Sequence, residues 1–185
     1  MKNLRIGIFA VVMLLYIWFP FNMIRQTEQV LKHGNVYRFQ LQPIDPYDAF
    51  RGRYVSLFYG NQEIPSSDSL LSGQEVYITL QRDSLGFANF KNIYTEKPTQ
   101  QDYLTTNVLY FNNGLVTIEI PENMAYYYMN EQSAPEVEKL VMFPMPSDSL
   151  QEIHSSVDIR ILNGNAVVEE LYINDLPVKT YLKQQ

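Results

Sequence analysis

Nineteen consecutive uncharged residues, IGIFAVVMLLYIWFPFNMI, separate Arg5 from Arg25. As a helix rising 1.5 Å per residue they span about 28 Å, close to the roughly 30 Å of a bilayer's hydrocarbon core. Tyr16, Trp18, Phe19 and Phe21 gather at the far end, where an aromatic belt would sit, and Pro20 falls there too, where a helix break costs least. A cleaved signal peptide calls for a shorter apolar stretch and a small-residue exit, and here aromatics occupy that place. A helix inside a soluble protein rarely runs so far without a charge. The segment therefore reads as an uncleaved anchor, with residues 6–24 in the lipid bilayer. Lys2 and Arg5 precede it while Arg25, Lys32 and Arg38 come after, so the basic bias across the segment is slight. A long domain beyond an anchor translocates largely regardless of such charges. The expected arrangement is single-pass, with the N-terminus cytoplasmic and the domain on the extracytoplasmic, periplasmic side.

Beyond the anchor the chain is acidic. Its 185 residues carry a net charge of −6, and without Lys2 and Arg5 the remainder has 12 basic and 20 acidic residues, a net charge of −8. Such a body, lacking a basic stripe, is unsuited to nucleic acid or anionic lipid. With no cysteine, disulfides, thiolate zinc sites and cysteine nucleophiles are excluded. Apolar residues make up 46% of the chain and aromatics 14%, enough for a core and better suited to strands than to helices.

Strand signals dominate after RQTEQVLKHG (25–34), a polar extension of the anchor helix that Gly34 would stop. The division expected is an anchor with its extension over 1–34 and one β-rich domain over 35–185. VYRFQLQ (36–42) alternates, and RYVSLFY (53–59) comes after a turn. EVYITLQRDSLGFANFKNIY (75–94) reads as two strands around Asp83–Gly86. NVLYFNNGLVTIEI (107–120) and VDIRILNGNAVVEELYI (157–173) are hairpins turned by Asn113-Gly114 and Asn163-Gly164, pairs suited to the positive φ of type I′ turns. The hairpins at 75–94 and 157–173 share G-x-A-x-x-x-x-x-Y, at Gly86, Ala88, Tyr94 and at Gly164, Ala166, Tyr172, which similar hairpin chemistry explains more simply than duplication. One short helix is expected at SAPEVEKLV, where Ser133 and Glu136 form a capping box and Pro135 sits in the first turn. The fold class is mainly β: a transmembrane helix, then a partly open barrel or sandwich of hairpins with one short helix.

DPYDAFRGRYVSLFY (45–59) is the densest local pattern. Pro46 pushes Asp45 to an extended conformation, and Asp45 and Asp48 can fold back onto backbone N–H groups. Gly52 at a strand entrance suggests a bulge or positive φ, with Arg51 and Arg53 placed to pair with the two aspartates. Beyond it Tyr54, Ser56 and Phe58 face one way and Val55, Leu57 and Tyr59 the other, a strand expected to be covered on both sides.

GRYVSLFY resembles the GDYxxLxY motif that names a family of bacterial membrane-anchored proteins, with Gly52, Tyr54, Leu57 and Tyr59 in place. DPYDAFR resembles that family's DPxDxxR lead-in through Asp45, Pro46, Asp48 and Arg51. The anchor, VYITL with its GFA turn, and IEIPENMAYYYMNEQ (118–132) come in the family's order, so the likeness covers most of the chain. The motif's acid is Arg53 here, which puts in doubt any role needing a carboxylate at that position. The resemblance implies a multi-spanning membrane protein as partner and carries no established biochemical activity.

Enzyme signatures are sparse. There is no G-x-S-x-G, S-x-x-K, H-E-x-x-H or glycine-rich phosphate loop, and His33 and His154 are the only histidines. No metal or cofactor is therefore expected. Glu119 with Glu122, and Asp45 with Asp48, are acid pairs around prolines that turn formation and solvation explain. In MAYYYM (124–129), Tyr126 and Tyr128 share one strand face, either for packing or as a recognition surface for a partner or glycan. Two readings remain. One is a non-enzymatic, membrane-anchored binding or assembly module, with the 45–59 corner as structural core or contact surface. The alternative is a membrane-tethered hydrolase of unfamiliar type acting on peptides or glycans, against which stands the lack of any spacing that joins Ser56 to Lys91 or Lys97. The first is preferred.

Overall fold

A computed structural model describes residues 2–43, 54–60, 62–142 and 153–184. It begins with one unbroken helix, α1 (Lys2–His33), in which the apolar segment and its polar extension are continuous and Pro20 lies inside rather than at an end. From Leu14 to Phe19 the apolar side chains are exposed on every side, the mark of a helix whose surroundings are not supplied by its own protein. The helix is long and apolar enough to cross a membrane.

The protein is mainly β, with 41% of residues in strands against 28% in helix even with α1 counted, and its sheets curl into a nearly closed barrel. One sheet has the order β1-β9-β10-β11, from β1 (Asn35–Gln40), β9 (Ser155–Leu162), β10 (Asn165–Ile173) and β11 (Leu176–Pro177). A second runs β3-β7-β6-β4-β5, from β3 (Glu63–Pro65), β4 (Glu75–Arg82), β5 (Ala88–Tyr94), β6 (Tyr103–Asn112) and β7 (Leu115–Ile118). A ribbon of β2 (Tyr54–Ser56) and β8 (Tyr126–Tyr128) completes the wall. The core is aliphatic: Ile64, Ile78, Leu104 and Ile118 from the larger sheet meet Ile159, Ile161, Leu171 and Ile173 from the smaller.

Three expected hairpins are present. Asn113 and Asn163 take φ of 49° and 50°, each followed by a glycine at 80° or 85°, as a type I′ turn requires. The expected short helix is α3 (Ala134–Met142), which buries Val137 and Val141. It is joined by two single-turn helices, α2 (Glu122–Ala125) and α4 (Val178–Tyr181), each entered directly from a proline. The G-x-A echo falls on hairpins in different sheets: Ala88 and Ala166 are both buried, but Gly86 borders open space while Gly164 is packed.

Two contacts close the barrel. On one side Arg82 donates to the Val36 carbonyl at 2.8 Å and Phe39 meets Phe90 at 5.5 Å between ring centroids, so the β4–β5 hairpin leans on β1. On the other, the β9–β10 turn inserts against β6: Thr105 N–H donates to the Gly164 carbonyl at 2.9 Å, and Leu104 and Gly164 form an isolated parallel bridge. A Cβ on Gly164 would stand 2.2 Å from Thr105 Oγ1 and 2.7 Å from the Tyr103 ring.

Gly164 and Gly86 thus differ in surroundings while sharing a positive φ (85° and 89°). Gly86→Ala is expected to cost only left-handed strain, about 1–2 kcal/mol. Gly164→Ala should cost roughly 1–3 kcal/mol more, because the seam with β6 must open. Thermal unfolding of the two full-length variants side by side measures the difference.

Candidate functional site

Of the motif, the structure describes Tyr54 to Tyr59; Asp45, Pro46, Asp48, Arg51, Gly52 and Arg53 lie outside the described residues. The strand expected over 53–59 is three residues long. It pairs antiparallel with β8 in the register Tyr54↔Tyr128, Val55↔Tyr127, Ser56↔Tyr126. MAYYYM and the motif are therefore one ribbon, joined across more than sixty residues of sequence. Among the described residues its cover is one-sided: Val55, Leu57 and Tyr59 are buried, while Tyr54, Ser56 and Phe58 are half-exposed. Full cover on both faces, expected from the apolar pattern, is not found.

The inward side chains hold the ribbon to α2. The last carbonyls of a helix lack partners inside it. Here Ala125 accepts from Leu57 N–H at 2.9 Å and Met124 from the Tyr59 hydroxyl at 2.5 Å. The Tyr59 ring lies edge-on to Phe39, 5.3 Å between centroids, which ties the ribbon to β1. Burial pushes the Tyr59 phenol far above its ordinary range, so it stays protonated and remains a donor. Tyr127 also turns inward and donates to Glu170 on β10 at 2.7 Å.

Outward, the motif's Tyr54 joins Tyr126 and Tyr128 in one aromatic cluster. Ring centroids lie 4.7 Å apart for Tyr54–Tyr126, 5.9 Å for Tyr54–Tyr128 and 6.5 Å for Tyr126–Tyr128, all near edge-to-face. Tyr128 is 70% exposed. Beside the cluster opens a groove of about 330 Å³, walled by Tyr126, Tyr128, Val168 and Lys179 and, across from them, by Thr27 of α1. Tyr126 and Tyr128 were foreseeable as a face; their meeting with Tyr54, and with α1, was not, because nothing local in sequence records a pairing of β2 with β8.

The remaining candidates stay apart. Glu119 and Glu122 are exposed, with the Glu119 carboxylate accepting from Asn107 at 3.3 Å and its backbone carbonyl from the Thr106 hydroxyl. His33 ends α1 and His154 precedes β9, both exposed. Lys97 lies 5.9 Å over the Tyr77 ring, whereas Ser56 belongs to the ribbon. Among the described residues no three His, Asp or Glu converge as metal ligands, and no serine hydroxyl is hydrogen-bonded to a histidine or lysine. What the ribbon offers is apolar area edged with hydroxyls, the chemistry of recognition.

The buried phenols carry two expected outcomes. Tyr59→Phe leaves the Met124 carbonyl without its donor and should destabilise by about 1–3 kcal/mol, whereas Tyr128→Phe should shift stability by less than about 0.5 kcal/mol, measured by thermal unfolding. Burial, aided by the hydrogen bond to Asp102, pushes Tyr37 up to about 12, and burial also raises Tyr59 and Tyr127. An unfolded tyrosine titrates near 10. Above that pH the unfolded chain sheds protons that the folded one retains. Stability is thus whole below pH 10 and is lost as pH climbs through 12, more shallowly in Tyr59→Phe.

No curated protein and no solved structure matches the chain. Residues 16–171 match the family described as GDYXXLXY protein, a span that starts within α1 and ends within β10. With most of its length so matched, the chain belongs to the GDYXXLXY protein family.

Proposed function

We propose that this protein is a membrane-anchored binding module, held by residues 6–24 in the bilayer with its body outside the cytoplasm, whose tyrosine ribbon contacts a multi-spanning membrane protein. The observation that carries this reading is the groove shared by Thr27 and the ribbon. Thr27 lies three residues beyond Ile24, the last residue of the apolar run, a rise of about 4.5 Å along the helix. The groove and the exposed Tyr128 therefore open at headgroup height. A partner that itself emerges from the bilayer meets them there. Tyrosine suits such a contact: it contributes large apolar area, carries a hydroxyl for the wet rim, and loses little side-chain freedom on binding. The net charge of −8 carried by the chain beyond Arg5 disfavours the anionic lipid surface as the alternative occupant of this face.

Because the chain has no cysteine, single-cysteine variants report cleanly on sidedness. Leu85→Cys, at a position 79% exposed in the β4–β5 turn, is expected to react with a membrane-impermeant maleimide added to cells with only the outer envelope opened. Labelling only after the inner membrane is broken overturns the orientation. A photo-crosslinking amino acid at position 128 should give an adduct with one multi-spanning membrane protein, and the same group at position 85 should not. Equal adducts from both positions, or none from 128, overturn the ribbon as the contact.

A further inference from the structure

A second cleft, of about 540 Å³, opens where the chain leaves α1, and the tyrosine ribbon contributes nothing to its walls. Three segments distant in sequence build it. Asn35 and Tyr37 come from the start of β1, Gln100 to Tyr103 from the approach to β6, and Asn163 from the β9–β10 turn. The seam at Gly164 brings them together, since its contact with Thr105 and Tyr103 fixes the turn against the root of β6.

The lining is polar and planar. Among the described residues Asp102 is its one charged side chain; one carboxylate oxygen, Oδ2, accepts from Asn35 Nδ2 at 2.7 Å and from the Tyr37 hydroxyl at 2.8 Å. The other, Oδ1, has no hydrogen-bond partner among the described residues. The side-chain amides of Gln100, Gln101 and Asn163 likewise make no hydrogen bond among the described residues, so each presents a donor and an acceptor. Tyr37 and Tyr103 supply ring surface.

These features select a ligand class. An apolar molecule finds little apolar wall. An anion meets Asp102 with no basic side chain among the described residues of the lining. An ammonium only donates, and would leave the amide N–H groups unanswered. A neutral molecule rich in hydroxyls, each both donor and acceptor, answers amides and carboxylate together, while its C–H faces lie on the tyrosine rings. The volume is that of an ordinary small-ligand site, ~300–1,000 Å³. We propose that this cleft binds sugar units of a glycan, with Asp102 as the central hydroxyl acceptor and Gln100, Gln101 and Asn163 as its amide rim.

The probe is saturation-transfer NMR on the full-length protein in nanodiscs, with millimolar cellobiose or N,N′-diacetylchitobiose as ligand and spermidine as competitor. Transfer to ring protons of at least one disaccharide is expected. Affinity should fall at least about fivefold, the equivalent of a lost hydrogen bond, in Asp102→Ala and in the double variant Gln100→Ala/Gln101→Ala. Tyr128→Ala, on the ribbon, should leave it unchanged. Asp102→Ala also removes bonds to Asn35 and Tyr37, so the exposed glutamine pair supplies the variant whose fold is not at stake. Absence of transfer from both disaccharides, affinity unchanged in the glutamine variant, or displacement by equimolar spermidine overturns the proposal.

Discussion

The joint between helix and sheet at Gly34 sets the frame for every other element. Its N–H closes on the Val30 carbonyl at 2.8 Å, ending α1, and the next residue, Asn35, already pairs with Ile161 on β9. A Cβ at Gly34 would stand 2.5 Å from the Val30 oxygen and 3.1 Å from the backbone of Ile161. Any larger residue would force strand and helix apart. Arg160 adds a hydrogen bond to the Gly34 carbonyl at 3.1 Å, and Val30 is buried against the sheet. There is no linker: a helix apolar enough for lipid runs straight into the central sheet of the body.

A charged pair reinforces that sheet at its heart. Arg38 grips Asp158 through two bonds of 2.7 and 2.8 Å and lies 4.1 Å over the Tyr172 ring, spanning β1, β9 and β10. The hydrogen bond to Asp158 lowers the free energy of the guanidinium's charged form, pushing Arg38 above its ordinary value, so the guanidinium stays charged. Asp158 is nearly buried, and removing the arginine alone would strand its carboxylate. The ribbon then attaches to this frame by Phe39 against Tyr59 and by Tyr127 against Glu170. Of the motif residues described, Leu57 and Tyr59 thus pack into the same core that carries the helix.

Much of this fold is legible locally. Asn-Gly pairs at 113–114 and 163–164 state their turns because few other residues tolerate positive φ, and Pro135 after Ser133 states the start of α3. What escapes is long-range. β4 and β9 bury residues on both faces: Thr79 and Asp158 hold the polar places of the sequence alternation yet are buried, so the pattern marks the strands but not that both their faces are covered. β3 and β11 are too short to carry a period, and α2 and α4 are single turns entered from prolines. Pro20 sits inside α1 rather than at a break, as isolated prolines in apolar helices can. The candidate site was half legible. Tyr54, Tyr126 and Tyr128 were visible as separate stretches, but the sheet pairing that unites them is tertiary. The polar cleft was invisible for the same reason, since Asn35, Asp102 and Asn163 are ordinary residues until three segments converge.

A linkerless joint also changes the terms on which anything can associate with this protein. The nine residues from Arg25 to His33 form a stalk of about 14 Å that passes into the sheet with no intervening loop, its last turn closed by the Gly34–Val30 hydrogen bond. A tethered domain on a floppy leash surrenders orientational freedom each time it engages a neighbour. Here that loss has already been taken during folding. With residues 6–24 in a bilayer, as proposed above, lateral diffusion in the plane would be the chief motion left, and encounters with another resident of that membrane would become a two-dimensional search at one fixed height.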